Sequence, residues 1–186
     1  MNSHTSPEAS GSLKNPKSPK SRFYICFMKA ASIQEIKQEL KETSQAKVIE
    51  LCLRLARYKK ENKELLTYLL FEADDLPTYI LHVKEEMDEG FDAIHANALY
   101  LVKKSLRRIL RIANKHIRFS GEKTAEVEIL LHFCEQMKNS GIQFKRSTVL
   151  LNLYNSQLKK ISVAISSLHE DLQHDYLRQY NRLLTD

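Results

Sequence analysis

The chain has no tryptophan and, among its 186 residues, only four glycines, four prolines and three cysteines. So little Gly and Pro excludes the dense turns that a β-sandwich or barrel requires. Three unclustered cysteines, Cys26, Cys52 and Cys134, exclude a disulfide scaffold and point to a reducing, cytoplasmic setting. No stretch approaches 18 apolar residues without charge, so no membrane span is expected. Also missing are a Gly-x-Ser-x-Gly elbow, a phosphate-cradling Gly loop and a dinucleotide fingerprint. What is present is 42% apolar and 28% charged side chains, the balance of an ordinary globular domain.

The net charge of +6 is unevenly distributed. Residues 32–99 carry 9 basic and 14 acidic side chains, whereas residues 100–160 carry 13 basic and only 4 acidic ones. One basic segment thus lies between acidic flanks. It either faces a partner or pairs within the chain.

Residues 1–22 hold Ser, Pro, Lys and Asn with almost no apolar content, too little to offset the entropy of ordering. Residues 1–31 therefore read as a disordered basic tail, and 32–186 as one helical domain. The run Phe23 to Phe27 is too short for a secretory apolar core. Met28 offers an alternative start, because Met28-Lys29-Ala30-Ala31 leads directly into a capped helix.

From Ser32 onward the periodicity is helical. Ser32-Ile33-Gln34-Glu35 fits a capping box, in which Ser and the Glu three residues on satisfy orphan N–H groups. Helices are expected over about 45–59, 62–73, 78–89, 91–119, 122–139 and 147–184, with Gly90, Gly121 and Gly141 as breaks. The dense apolar content of 62–73 (Leu65, Leu66, Tyr68, Leu69, Leu70, Phe71) predicts a buried central helix. The expected fold is all-α, an irregular multi-helix bundle. The alternative is a short α-solenoid of the HEAT kind, for which no internal repeat is found.

In the last helix Leu151, Tyr154, Leu158, Ile161, Ile165, Leu168 and Leu172 recur in steps of three and four. This stripe serves either as core or as a seam for a second copy, with Ser166-Ser167 the expected bend if two helices share it.

Helix 91–119 carries the main functional lead. Ile94, Leu101, Val102, Leu106, Ile109 and Ile117 share one arc of its wheel, while Lys103, Lys104, Arg107, Arg108, Arg111, Lys115 and Arg118 share the other. Like charges one turn apart repel by a few tenths of a kcal/mol per pair, so something must compensate them. Three covers fit: the acids Glu85, Glu86, Asp88, Glu89 and Asp92; an acidic protein partner or second subunit; or a polyanion held through its backbone. The leading expectation is a non-enzymatic interaction module using this face, and a homodimer is one form it can take. Sequence-nonspecific nucleic-acid binding through the same residues is the alternative.

A metal-dependent helical-bundle enzyme ranks third. Asp92–His95 and Asp171–His174 have an acid-x-x-His spacing, but di-metal bundles use paired Glu-x-x-His. His95 and His116 would stand about 31 Å apart along one helix, too far for one ion. The histidines are expected to be hydrogen-bonded, and Cys52 and Cys134 to be small core residues. No catalytic residue, cofactor or metal ligand is assigned.

Overall fold

A computed structural model describes residues 30–94 and 98–185. The expected tail up to residue 29, the Met28 start, Cys26 and His95 lie outside the described residues. Eight α-helices and no strand occur among those described. The chain divides into two compact units between Val48 and Ile49.

The first unit contains α1 (Ile33–Glu42) and the opening turn of α2 (Gln45–Tyr58). Its capping box forms as the sequence predicts: the Glu35 amide donates to Ser32 Oγ at 3.3 Å, and the Ser32 amide donates to Glu35 Oε2 at 2.8 Å. No side chain of α1 is buried.

The second unit contains the rest of α2, then α3 (Lys60–Phe71), α4 (Leu76–Asp92), α5 (Leu99–Ser120) and α6 (Lys123–Asn139). A short 3₁₀ turn, Phe144–Arg146, leads to α7 (Thr148–Ile165) and α8 (Glu170–Leu184). Helix α6 is its centre. It packs on α4, α5, α7 and α8, and buries Ile129, Leu130, Leu131, Phe133, Cys134 and Met137. A solenoid stacks each pair only on its neighbours; one helix enclosed by four others makes this unit a bundle.

Four expectations are corrected. The buried central helix is α6, not α3, which buries only Tyr68 and leaves Leu69, Leu70 and Phe71 at 56%, 63% and 78% exposure. Apolar density alone does not specify burial; an apolar arc must meet partners on several sides, and α6 meets four helices where α3 meets chiefly α5. Cys52 is likewise half-exposed rather than core, because no residue of α2 is buried.

Gly90 does not break a helix. Helix α4 runs through it to Asp92, and a Cβ there would lie 2.9 Å from Ile109 Cγ1. The glycine is there for the close approach of α5. Gly121 and Gly141, at φ +67° and +69°, do end helices, since the left-handed region is costly for other residues.

The expected 147–184 helix is two helices, parted at Ser166-Ser167. Both hydroxyls donate to the Val163 carbonyl, at 2.8 and 3.0 Å, a local competition that favours a helix end. Of the proposed seam, Tyr154, Leu158, Ile161 and Ile165 are buried in the chain's own core. Leu151 and Leu168 pack against that core, and Leu172 is 41% exposed. The stripe serves α6 and α8, so it is not a continuous surface for a second copy.

Candidate interaction face

Helix α5 is two-sided along its whole length. Val102, Leu106, Ile109, Leu110 and Ala113 are buried, on the arc that faces α4 and α6. This packing turns the basic arc outward. Its N-terminus has Ala98 at the cap position and no acid in the first turn, so neither a side-chain cap nor a first-turn acid offsets the positive end of the helix dipole.

The seven basic side chains divide into two groups. At the C-terminal end, Lys115 Nζ donates to Glu64 Oε2 at 3.1 Å and Arg118 donates to Glu61 Oε1 at 2.9 Å. Helix α3 therefore supplies the acids, not α4 as the sequence suggested. Burial works against ionisation of Glu64, yet Lys115, aided by Lys60, holds its carboxyl below the usual range. The Arg118 pair stays well exposed and adds little stability.

Lys103, Lys104, Arg107, Arg108 and Arg111 have no ion-pair partner among the described residues. Arg108 borders a cleft of about 270 Å³ that Glu86 and Glu89 also line, without an ion pair. Lys104, Arg107 and Arg111 are exposed, and so is Tyr100 beside them on the wheel. The pairs Lys103–Arg107, Lys104–Arg108 and Arg107–Arg111 are each one turn apart with no intervening acid.

Other cations of the basic segment sit on other helices. Lys123 pairs with Glu126 at 2.7 Å. Lys159 and Lys160 ride on α7, which packs on α6, α8 and the 3₁₀ turn.

Two of the α4 acids, Glu86 and Asp88, are engaged in polar contacts at the margin of the core that the sequence reading did not assemble. Tyr79 Oη lies 2.7 Å from His116 Nδ1, and His116 Nε2 lies 3.1 Å from Glu86 Oε2. With His116 neutral, its Nε2–H donates to the carboxylate and Nδ1 accepts from the phenol. Asp88 pairs with His132 at 2.7 Å. Lys84 donates to Glu128 at 2.7 Å, and Tyr176 donates to that same carboxylate at 2.9 Å. The missed signal is that Tyr79, Val83 and Glu86 fall on neighbouring turns of one helix face.

Burial, and secondarily the charge of Lys115, holds His116 below the ordinary histidine range, against the opposing pull of Glu86 and Glu64. The folded value is thus below the unfolded one, and the unfolded chain takes up the proton first. The resulting stability is present above about pH 6.5 and declines as pH falls through that value towards the folded one. The urea midpoint should be lower near pH 5.5 than near pH 7.5, and His116→Gln should narrow that difference. An equal drop in both proteins would assign the effect to other groups.

The remaining candidate sites stay apart. His169 and His174 are exposed beside Asp171 and Asp175. No group of three His, Cys, Asp or Glu side chains among the described residues is placed to hold a metal ion. Burial, then the nearby Glu135, pushes the Cys134 thiol up to about 12, which leaves it a poor nucleophile. No helix among the described residues is long and apolar enough to cross a membrane. Compared with known proteins, the chain matches no protein family, no curated protein and no solved structure.

Proposed function

We propose that this chain is a non-enzymatic helical interaction protein that docks an acidic protein partner on the first half of α5. The observation that carries this reading is the group of five cations, Lys103, Lys104, Arg107, Arg108 and Arg111, left without ion pairs on the outward arc of a helix whose other arc is core. Their mutual repulsion is a standing cost, and an acidic surface relieves it on contact. Lys115 and Arg118, already satisfied by α3, contribute at the edge. The free thiols Cys52 and Cys134 suit a reducing compartment such as the cytoplasm.

The test uses fluorescence anisotropy with labelled poly-L-glutamate and a 20-nucleotide single-stranded DNA, at about 50 and 300 mM salt. Binding to the polypeptide should be salt-sensitive. Arg107→Glu/Arg111→Glu should weaken it by at least roughly tenfold, with circular dichroism unchanged because both positions are exposed. Tighter binding of DNA, together with nucleic acid in the purified protein, would replace this reading with the nucleic-acid one. If neither probe binds in a way the reversal abolishes, the face is not a docking site.

A further inference from the structure

Residues of α3, α4 and α5 line a cavity of about 250 Å³, a size for a head group or short chain rather than a drug-sized molecule. A run of rings borders it. Centroids of Tyr68 and Tyr79 stand 4.4 Å apart, those of Tyr79 and His116 5.6 Å, and those of His116 and Phe119 5.8 Å. Glu64, Glu72 and Glu86 line the same space, with Lys115 the single lining cation among the described residues. Burial keeps His116 neutral, so three carboxylates face one ammonium.

Lys115 shows what this lining accepts. Its ammonium lies 3.1 Å from Glu64 Oε2 and 5.9 Å from the centre of the Phe119 ring, held by a carboxylate and an aromatic ring together. A second pair of acceptors has no such cation. Tyr68 is 5% exposed, yet its hydroxyl makes no hydrogen bond among the described residues. Gln157 Oε1 is the one sealed side-chain polar atom without a partner among those residues, so the Tyr68 oxygen opens onto the cavity it lines. Glu72 is half-buried and has no ion-pair partner among the described residues. Burial, then the charges of Glu122 and Glu72, pushes the Tyr68 phenol above its ordinary range. The phenol therefore keeps its proton and lies in a negative potential. Acceptors withdrawn from water and left unpaired cost free energy, and a positively charged N–H donor satisfies both.

We propose that this cavity binds a primary alkylammonium group, which donates N–H bonds to Tyr68 Oη and the Glu72 carboxylate and sets its charge against the rings. The lining selects that class. An anion would meet three carboxylates, a neutral apolar molecule would leave the Tyr68 oxygen unpaired, and a quaternary ammonium has no N–H to donate. A free amine and a lysine side chain present the same group. The inference is independent of the function proposed above, whose five cations lie outside this lining.

The test is an NMR titration of the isotope-labelled full chain with n-butylammonium near pH 7.5. The Tyr68 and Glu72 amides should shift and saturate, with a Kd on the order of 1–10 mM. n-Butanol and tetramethylammonium should each bind at least roughly tenfold more weakly. Glu72→Gln and Tyr68→Phe should each weaken butylammonium by roughly three- to tenfold. Tyr68→Phe keeps the ring and removes a hydroxyl that bonds nothing in the fold. Glu89→Gln and Arg107→Glu/Arg111→Glu, all outside the lining, should leave the Kd unchanged. A capped lysine that binds about tenfold tighter than butylammonium assigns the site to a lysine side chain; equal or weaker binding assigns it to a free amine. Absence of saturation by about 50 mM butylammonium overturns the proposal. So does butanol or tetramethylammonium binding as tightly, or a Kd that either cavity variant leaves unchanged.

Discussion

Replacing Phe133 by alanine should lower the unfolding free energy by about 3–5 kcal/mol. Phe133 is fully buried on α6, and its ring centroid lies 5.5 Å from that of Phe91 on α4, at an interplanar angle of 50°. Its removal forfeits the transfer energy of the ring and leaves a void bounded by helices that are themselves fixed on other neighbours. Little collapse is available to fill it. For a domain of this size the loss corresponds to roughly 6–20 °C in melting temperature. The urea midpoint should fall with an unchanged slope. Val163→Ala, at 67% exposure, should stay within about 0.5 kcal/mol of the parent. A Phe133→Ala effect no larger than that control would mean that α6 is not the centre of the bundle.

Gly90→Val should be the second most damaging change, at about 1–3 kcal/mol, and Gly90→Ala should destabilise in the same direction. Propensity argues the opposite, since Ala is favoured over Gly by about 1 kcal/mol inside a helix. The packing decides. A Cβ at this position meets Ile109 Cγ1 at 2.9 Å and Cδ1 at 3.4 Å, and Ile109 is 2% exposed. Either the buried Ile109 side chain must shift or α4 and α5 must separate, and both cost packing. The pair Gly90→Ala with Ile109→Val separates the two contributions. Trimming Ile109 should cost less in the Gly90→Ala background than in the parent. If Gly90→Ala instead stabilises the protein, the close approach of α4 and α5 is not what this glycine serves.

The helices themselves were legible because each carries its own local signals. Ser32 with Glu35 and the glycines at 121 and 141 act within one turn of the backbone, and all three signals appear at helix ends. The two-sidedness of α5 was legible for the same reason: side chains three and four apart share an arc whatever the rest of the chain does. Gly90 was misread because its role depends on a residue 19 positions away. The sequence shows that it lacks a side chain, not that Ile109 requires the space. The 147–184 segment is two helices, parted at the Ser166-Ser167 pair that the sequence offered as the bend; two hydroxyls bonding to the Val163 carbonyl end the first helix while the apolar stripe continues across the break.

Periodicity establishes which residues share a face, because the 3.6-residue repeat is a property of the backbone. It therefore determined, without the fold, that this protein is all-α and that seven cations of one helix lie on a single arc. Which faces meet is settled by non-local packing, which local signals do not encode. Only the tertiary structure decided that α6 rather than α3 is enclosed, and that Glu61 and Glu64 neutralise Lys115 and Arg118. It alone separated Lys103, Lys104, Arg107, Arg108 and Arg111 from those two. Burial requires neighbours on several sides, and neighbours are a property of the whole fold.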